Sequence, residues 1–425
     1  MFYLYIVLYV FFIGWLLIKR DIGAPLGIYV VWFSLYPLIT ILYFNVITSY
    51  IDISYVDSFD PWLIQQFTSC SVFALLGLLV SYMVSRKYWK VESYTLAVDY
   101  PRILSVFLLS GLFTFFGLYL LVLLKYKNIF FDNYVYQYIR VENFDPAVLK
   151  AVSMVTSVEI IFIIFFQSLM VFYMNRPHNK KLFIAMILLY AAVKFMVGSR
   201  LLLVVVFVSY YVTFLHKRVK IRFLYQILFV FCFIGFFMLF NLKRHGFESS
   251  ALSGLMDLGL EFTYSSLSAI NSIDFVASGN GLNILKLLND FVFGLVPSVL
   301  LGGNKSDYIN FVSWVDDIGG FKNISPVGGY YLVGQVYLYS HSVLFILLFF
   351  IVYGSMIAIC YRNIFSKTNL WVRLISLQAV SFGLVFGIRT ELWVLSKMWI
   401  QQFILIPVVL GILYTGMKFL LRVQR

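Results

Sequence analysis

Apolar runs broken by short polar stretches set the rhythm of this 425-residue chain. Many of them reach the roughly 18 residues that mark a bilayer-spanning helix. Spanning segments are predicted near 2–18, 24–47, 62–84, 103–124, 149–174, 182–197, 201–215, 222–241, 342–361, 370–388 and 398–420. Pro25, Pro37 and Pro407 fall inside this set, which lipid tolerates because neighbouring helices can satisfy the freed backbone groups. One connector stands apart. From Leu242 to about His341 the spanning runs disappear for roughly 100 residues, an uncommon length unless the segment is functional or disordered. Its abundance of Leu, Phe, Val and Trp argues for folding. Within it, 282–295 reads as an amphipathic helix, with Leu285, Leu288, Val292 and Leu295 on one face and Asn283, Lys286 and Asp290 on another. Such a helix suits the membrane interface better than a crossing, and 251–276 behaves similarly. No internal repeat or linker divides the chain. The expectation is a single membrane domain over 1–425, with 242–341 as a long loop bearing interfacial helices.

Composition sharpens this picture. Hydrophobic residues make up 62% and charged residues 12%, about half the charge of a soluble domain. Met1 to Ile18 carries no positive charge before it, and Lys19 and Arg20 follow it. A secretory signal has the opposite order, so the first run reads as a retained helix with its N-terminus outside. Alternation from there puts nineteen of the 32 basic residues, and only three acids, on the inner loops and the C-terminus. That asymmetry obeys the positive-inside rule. The fold class expected is therefore an all-α polytopic membrane protein of about eleven transmembrane helices, N-terminus outside and C-terminus inside. The net charge of +13 is a topology signal and does not imply nucleic acid as a partner. Cys70, Cys232 and Cys360 all fall in apolar runs, read as small buried hydrophobes, and build neither a disulfide framework nor a metal cluster.

Ionisable groups in or beside spanning helices are functional candidates because lipid makes them costly. Lys194 and Arg200 flank the turn at Gly198-Ser199. The runs on either side, 16 and 15 residues, rise only about 24 and 22 Å against a core of about 30 Å, so Arg200 is expected below the outer surface. It would there pair with an acid such as Glu159, or offer a guanidinium fork to a phosphate. Lys243-Arg244-His245 leaves the eighth run on the outer side, against the usual siting of basic anchors. Arg389 and Glu391 end the tenth run, as an ion pair or as a further anion site, and Lys397 opens the eleventh. Of four histidines, His245 and His341 lie outside; an imidazole near neutrality is a natural base for a sugar hydroxyl. His245 is the first choice and Glu248 its rival. Tyr330, Tyr331 and Trp393 are candidates for stacking on sugar faces, beside the interfacial-belt role that explains most such aromatics.

Gly198-Ser199-Arg200 opening a helix, the basic exit at Lys243-Arg244-His245, and a very long outer loop closing with Ser325-Pro326-Val327-Gly328-Gly329-Tyr330-Tyr331 together resemble one family. The chain resembles the bacterial O-antigen or oligosaccharide repeat-unit polymerases of the Wzy type. Many members carry an acid followed by an aromatic after the long loop, and Tyr331-Leu332-Val333-Gly334-Gln335 lacks it. The resemblance implies a metal-independent, cofactor-free glycosyltransferase of the C-type membrane class in the bacterial inner membrane. It would transfer a growing glycan from undecaprenyl pyrophosphate to the terminal sugar of an incoming undecaprenyl-linked repeat unit at the periplasmic face. A chain-length regulator and a flippase would be its partners, with membrane lipid. Arg200, Arg244, Arg389, Lys194 and Lys243 would hold the pyrophosphate as its charge develops, and His245, Glu248 and Arg244 would carry the chemistry. Two alternatives stay open. Asp52, Asp57 and Asp60 in an outer loop fit another lipid-linked-sugar transferase, such as an O-antigen ligase or a mannosyltransferase-like enzyme. Glu159 within a helix leans towards a flippase or exporter, whose class usually shows midplane ionisable residues.

Overall fold

The computed structural model describes residues 1–19, 24–44, 60–89, 102–131, 146–174, 180–198, 201–215, 235, 239–240, 251–296, 307–320, 323–324, 329–367, 369–388, 390 and 392–423. Among the described residues the regular structure is helical, with no strand. That suits a chain in lipid, where a helix satisfies its backbone groups within its own segment. The amino-terminal helices are α1 (Phe2–Ile18), α2 (Pro25–Leu42), α3 (Pro61–Trp89), α4 (Arg102–Lys125) and α5 (Pro146–Phe172). A hairpin follows, α6 (Lys180–Val197) and α7 (Leu201–Tyr210), the latter prolonged by a π-helical turn at Tyr211–Leu215. The long connecting segment holds α8 (Ala251–Ala277), α9 (Ile284–Leu295), α10 (Asn310–Asp317) and α11 (Leu332–Ser340). Then come α12 (Val343–Ser366), α13 (Leu370–Phe386), α14 (Leu392–Lys397), a π-helical stretch at Met398–Leu405, and α15 (Ile406–Val423). The predicted span 222–241 lies outside the described residues apart from Gly235, Leu239 and Phe240.

Among the described residues, α2, α3, α4, α5 and α12 are long and apolar enough to cross a bilayer, and α1, α7, α13 and α15 are shorter apolar helices. Their outward faces have the polarity lipid requires. On α12, Leu344, Leu348 and Val352 recur every four residues and are exposed, while Ile346, Phe350, Tyr353 and Ile357 are buried. In water such a stripe would be an aggregation surface; in hydrocarbon it costs nothing. The chain is a multi-pass, all-α membrane protein.

The chain divides into two compact units. One comprises residues 1–90, 255–361 and 382–401, the other 91–254, 362–381 and 402–425. In the first, small residues let helices close on each other, the usual way to gain dispersion contact in lipid. A Cβ on Gly77 of α3 would meet the Leu347 carbonyl oxygen at 2.6 Å, and one on Gly334 of α11 would collide with the Ala269 backbone of α8. Aromatic rings fill the space between. Tyr331 stacks on Tyr36 (centroids 5.6 Å apart, 9° between planes) and meets Phe33 and Phe67. Buried tyrosine hydroxyls spend themselves on carbonyls near the end of α13: Tyr29 donates to Gly387 (3.0 Å) and Tyr353 to Gly383 (2.7 Å).

The second unit is built on α4 against α5. The Phe165 ring lies over Gly111, where no side chain stands in its way, between Phe107 and Phe115 (centroids 5.9 and 5.2 Å). Two residues further along α5, the buried Gln167 amide donates to Ser209 of α7 (2.8 Å) and Ser381 of α13 (2.9 Å). Interhelical hydrogen bonds of this kind tie three helices at a point where no water competes.

Candidate functional site

Two buried polar clusters, one in each unit, position the chemistry. The first begins with helical spacing. Tyr190 and Lys194 are four residues apart on α6 and so share one face. Across from them, Glu159 is the acid of α5. Lys194 Nζ lies 2.7 Å from Glu159 Oε1, with both side chains 3% exposed, and the Tyr190 hydroxyl donates to the same carboxylate oxygen. The Tyr119 ring of α4 packs beside Tyr190 at 6.2 Å. A charge at this depth is tolerable only when paired and hydrogen-bonded, and the set is neutral as a whole. Lys194 stands four residues before Gly198, where α6 stops. Gly198 takes φ +76° and its N–H returns to the Lys194 carbonyl (2.9 Å), a helix stop that favours glycine. Lys194 is thus the last turn of α6, locked by Glu159.

The second cluster organises the long connecting segment. Asn283 caps α9, its side chain accepting from the Lys286 N–H at 2.9 Å. Asp290 lies on the same helix, 1% exposed. Its carboxylate accepts from the backbone N–H groups of Asn310 (2.6 Å) and Phe311 (2.9 Å), from the Asn310 amide (2.9 Å), and from the Tyr339 hydroxyl. Those N–H groups open α10, so a carboxylate from another helix satisfies donors that a helix start leaves orphaned and meets the positive end of its dipole. Burial, and then the Asp290 charge, push the Tyr339 phenol well above its ordinary range and keep it a donor. Three helices (α9, α10, α11) are fixed by one acid.

Further bonds extend this frame. Asn271 of α8 donates to the Ile324 carbonyl (2.8 Å), Ser268 accepts from the Tyr331 N–H (2.8 Å), and Ser272 bonds the Tyr330 hydroxyl. The Leu332 N–H meets the Ile388 carbonyl (3.1 Å), and Gln335 Oε1 accepts from the Leu392 N–H that opens α14. The chain on both sides of position 389 is thereby pinned to the first turn of α11. Where α8 ends and α9 and α10 begin, the frame leaves a half-open groove of about 510 Å³ lined by Lys286, Asn310, Ser313, Asp317, Trp314 and Asn280 together with Phe275, Gly281, Leu282 and Ile318. Its floor is held by Trp314, whose indole N–H donates to the Asn280 carbonyl (2.7 Å).

The residues singled out from sequence are placed unevenly. Arg200, Lys243, Arg244, His245, Glu248, Arg389 and Glu391 lie outside the described residues. Trp393 belongs to α14. Lys194 has the Glu159 carboxylate for its partner, where a pyrophosphate was expected. Tyr330 and Tyr331 are fully buried, and both rings face protein, Tyr330 against Phe311 and Tyr331 against Tyr36. No ring face of either is open to a sugar. Sequence reasoning passed over Asp290 as one polar residue on an amphipathic helix; its acid character beside Lys286 and Asn283 was the signal. Set against protein-family models, curated proteins and solved structures, the chain matches none of them.

Proposed function

We propose that this protein is a membrane glycosyltransferase that polymerises lipid-linked oligosaccharide repeat units at the outer face of a bacterial inner membrane. In this reading about eleven helices cross the bilayer, the N-terminus lies outside, and the long segment 242–341 is periplasmic. The observation that carries it is the character of that segment. Its described parts are helices, cross-tied by Asp290 and opened by a polar groove, and it begins in sequence with Lys243-Arg244-His245. A transferase of amphiphilic substrates needs cations for a lipid pyrophosphate and a polar surface for its glycan; the basic run in the sequence and the groove are the candidates for each.

In the reaction the acceptor hydroxyl attacks the anomeric carbon of the growing glycan and the carbon–oxygen bond to the pyrophosphate breaks. The hydroxyl proton passes to His245, with Glu248 the alternative base, and the leaving pyrophosphate gains charge that Arg200, Arg244 and Arg389 stabilise, with Lys243 assisting. Lys194 acts from behind, as the anchor of the turn before Arg200. Deleting the gene and resolving the surface polysaccharide tests the proposal: collapse of the ladder to a single repeat on the acceptor supports it, and an unchanged ladder overturns it. Arg244→Ala should lower polymer formation on the order of 10²-fold, and a full-length polymer from that variant removes Arg244 from the site.

A second reading, export of the same lipid-linked sugars, draws on the Glu159–Lys194 pair inside the helices. Translocation of repeat units without growth of the polymer would favour it. A ligase would instead attach finished chains to lipid A core.

A further inference from the structure

The groove at the end of α8 has features that packing alone does not require. Asn310, Ser313, Trp314 and Asp317 recur at the spacing that puts residues on one face of α10, and all four line the groove. Trp314 is buried among Phe275 and Phe311 (centroids 5.4 and 5.7 Å), but the other three are polar and accessible. A helix needing only to pack on its neighbours would carry apolar residues along that face.

We propose that this groove is a saccharide subsite, taking an uncharged, hydroxyl-rich stretch of glycan. The proposal deepens the polymerase reading and rests on it only for where the glycan comes from. A sugar hydroxyl both donates and accepts, and the rim offers both in small space: ammonium donors from Lys286, carboxylate acceptors from Asp317, both kinds from Ser313, and the amide oxygen of Asn310. The Asn310 amide nitrogen is held by Asp290 at 2.9 Å, which fixes the amide plane. Neither Lys286 nor Asp317 has an ion-pair partner among the described residues, so both remain to be used. Their charges cancel, which disfavours a phosphate group, since Asp317 would repel it and Lys286 alone would have to hold it. The volume of about 510 Å³ falls within the range of small-molecule pockets, about 300–1,000 Å³. The Trp314–Asn280 bond holds the floor before any ligand arrives, so little ordering is left for binding to impose.

The test uses the full-length protein in nanodiscs and, as probe, the repeat-unit oligosaccharide released from the producing cell's own lipid-linked glycan by mild acid. Saturation-transfer NMR should show saturable binding, weakened about tenfold in Lys286→Ala and in Asp317→Ala and abolished in Ser313→Trp, which fills the groove. Both alanine substitutions are at exposed positions, and thermal unfolding at the wild-type temperature will show that they fold. Binding that all three variants leave unchanged overturns the subsite. So does inorganic pyrophosphate that competes with the oligosaccharide and loses affinity in Lys286→Ala, because the groove would then be an anion site. The two proposals fail separately. An unchanged polysaccharide ladder in the deletion strain with groove binding intact removes the polymerase and keeps the subsite; a collapsed ladder with no groove binding does the reverse.

Discussion

Glu159 and Asp290 are both buried carboxylates, and the two units of this protein satisfy them in opposite ways. Glu159 receives a full positive charge from Lys194 and one phenol from Tyr190. Asp290 receives no cation among the described residues. It collects two backbone N–H groups, a side-chain amide and a phenol. The difference follows from what surrounds each. Glu159 stands on an apolar helix of the membrane class, where the backbone is already spent within the helices, so only another side chain can neutralise it. Asp290 faces the start of α10, where N–H groups are orphaned and lie at the positive end of the helix dipole. One acid joins two helices by charge; the other completes a helix and holds a connecting segment in shape.

The comparison breaks most sharply at Lys194. Lys194→Met leaves the Glu159 charge buried without its cation and should cost roughly 3–5 kcal/mol, read as a fall in thermal unfolding temperature in detergent. The double variant Lys194→Met with Glu159→Leu should recover most of that loss, since apolar replacement of a whole buried pair is often neutral or better. A double variant no more stable than the single one would mean that the pair does more than cancel charge.

Asp290→Ala should cost somewhat less, roughly 2–4 kcal/mol, because it strands several neutral donors and no charge. No second substitution can compensate, as two of the stranded donors belong to the backbone. Hydrogen exchange should rise at the first turn of α10 and around the groove, while α4–α5 stays protected. Exchange that rises equally in both units would contradict the division of labour.

The smallest effects belong to the two phenols. Tyr339→Phe removes one of four donors from Asp290 and should cost about 1–2 kcal/mol. Tyr190→Phe should cost less, since Lys194 still neutralises Glu159. Unfolding temperatures of the two variants, measured side by side, check the order, and a larger loss in Tyr190→Phe would reverse it.

Much of the architecture was legible in the chain itself. Hydropathy located the helices because a backbone in lipid has one local solution, so a run such as 102–125 carries its own instruction. The helix expected at 282–295 is present as α9, with Leu285, Leu288 and Val292 exposed, but the polar face read from its period is split, since Asn283 and Lys286 are exposed and Asp290 is buried. Gly198 before Arg200 announced a helix stop, and the left-handed backbone there is that stop. The candidate site was less legible. Tyr330 and Tyr331 carry the composition of a sugar platform, yet their rings complete the packing of helices far away in sequence.

What the sequence alone determined was therefore whatever depends on neighbours within a helical turn or on the thickness of the bilayer: helical class, membrane residence, the stripe on α9. Tertiary structure decided who pairs with whom. Lys194 finds Glu159, and Asp290 finds donors 20, 21 and 49 positions away. No period in the chain encodes such distances. They are settled only when helices pack and each buried polar group must find a partner or bear the loss of water.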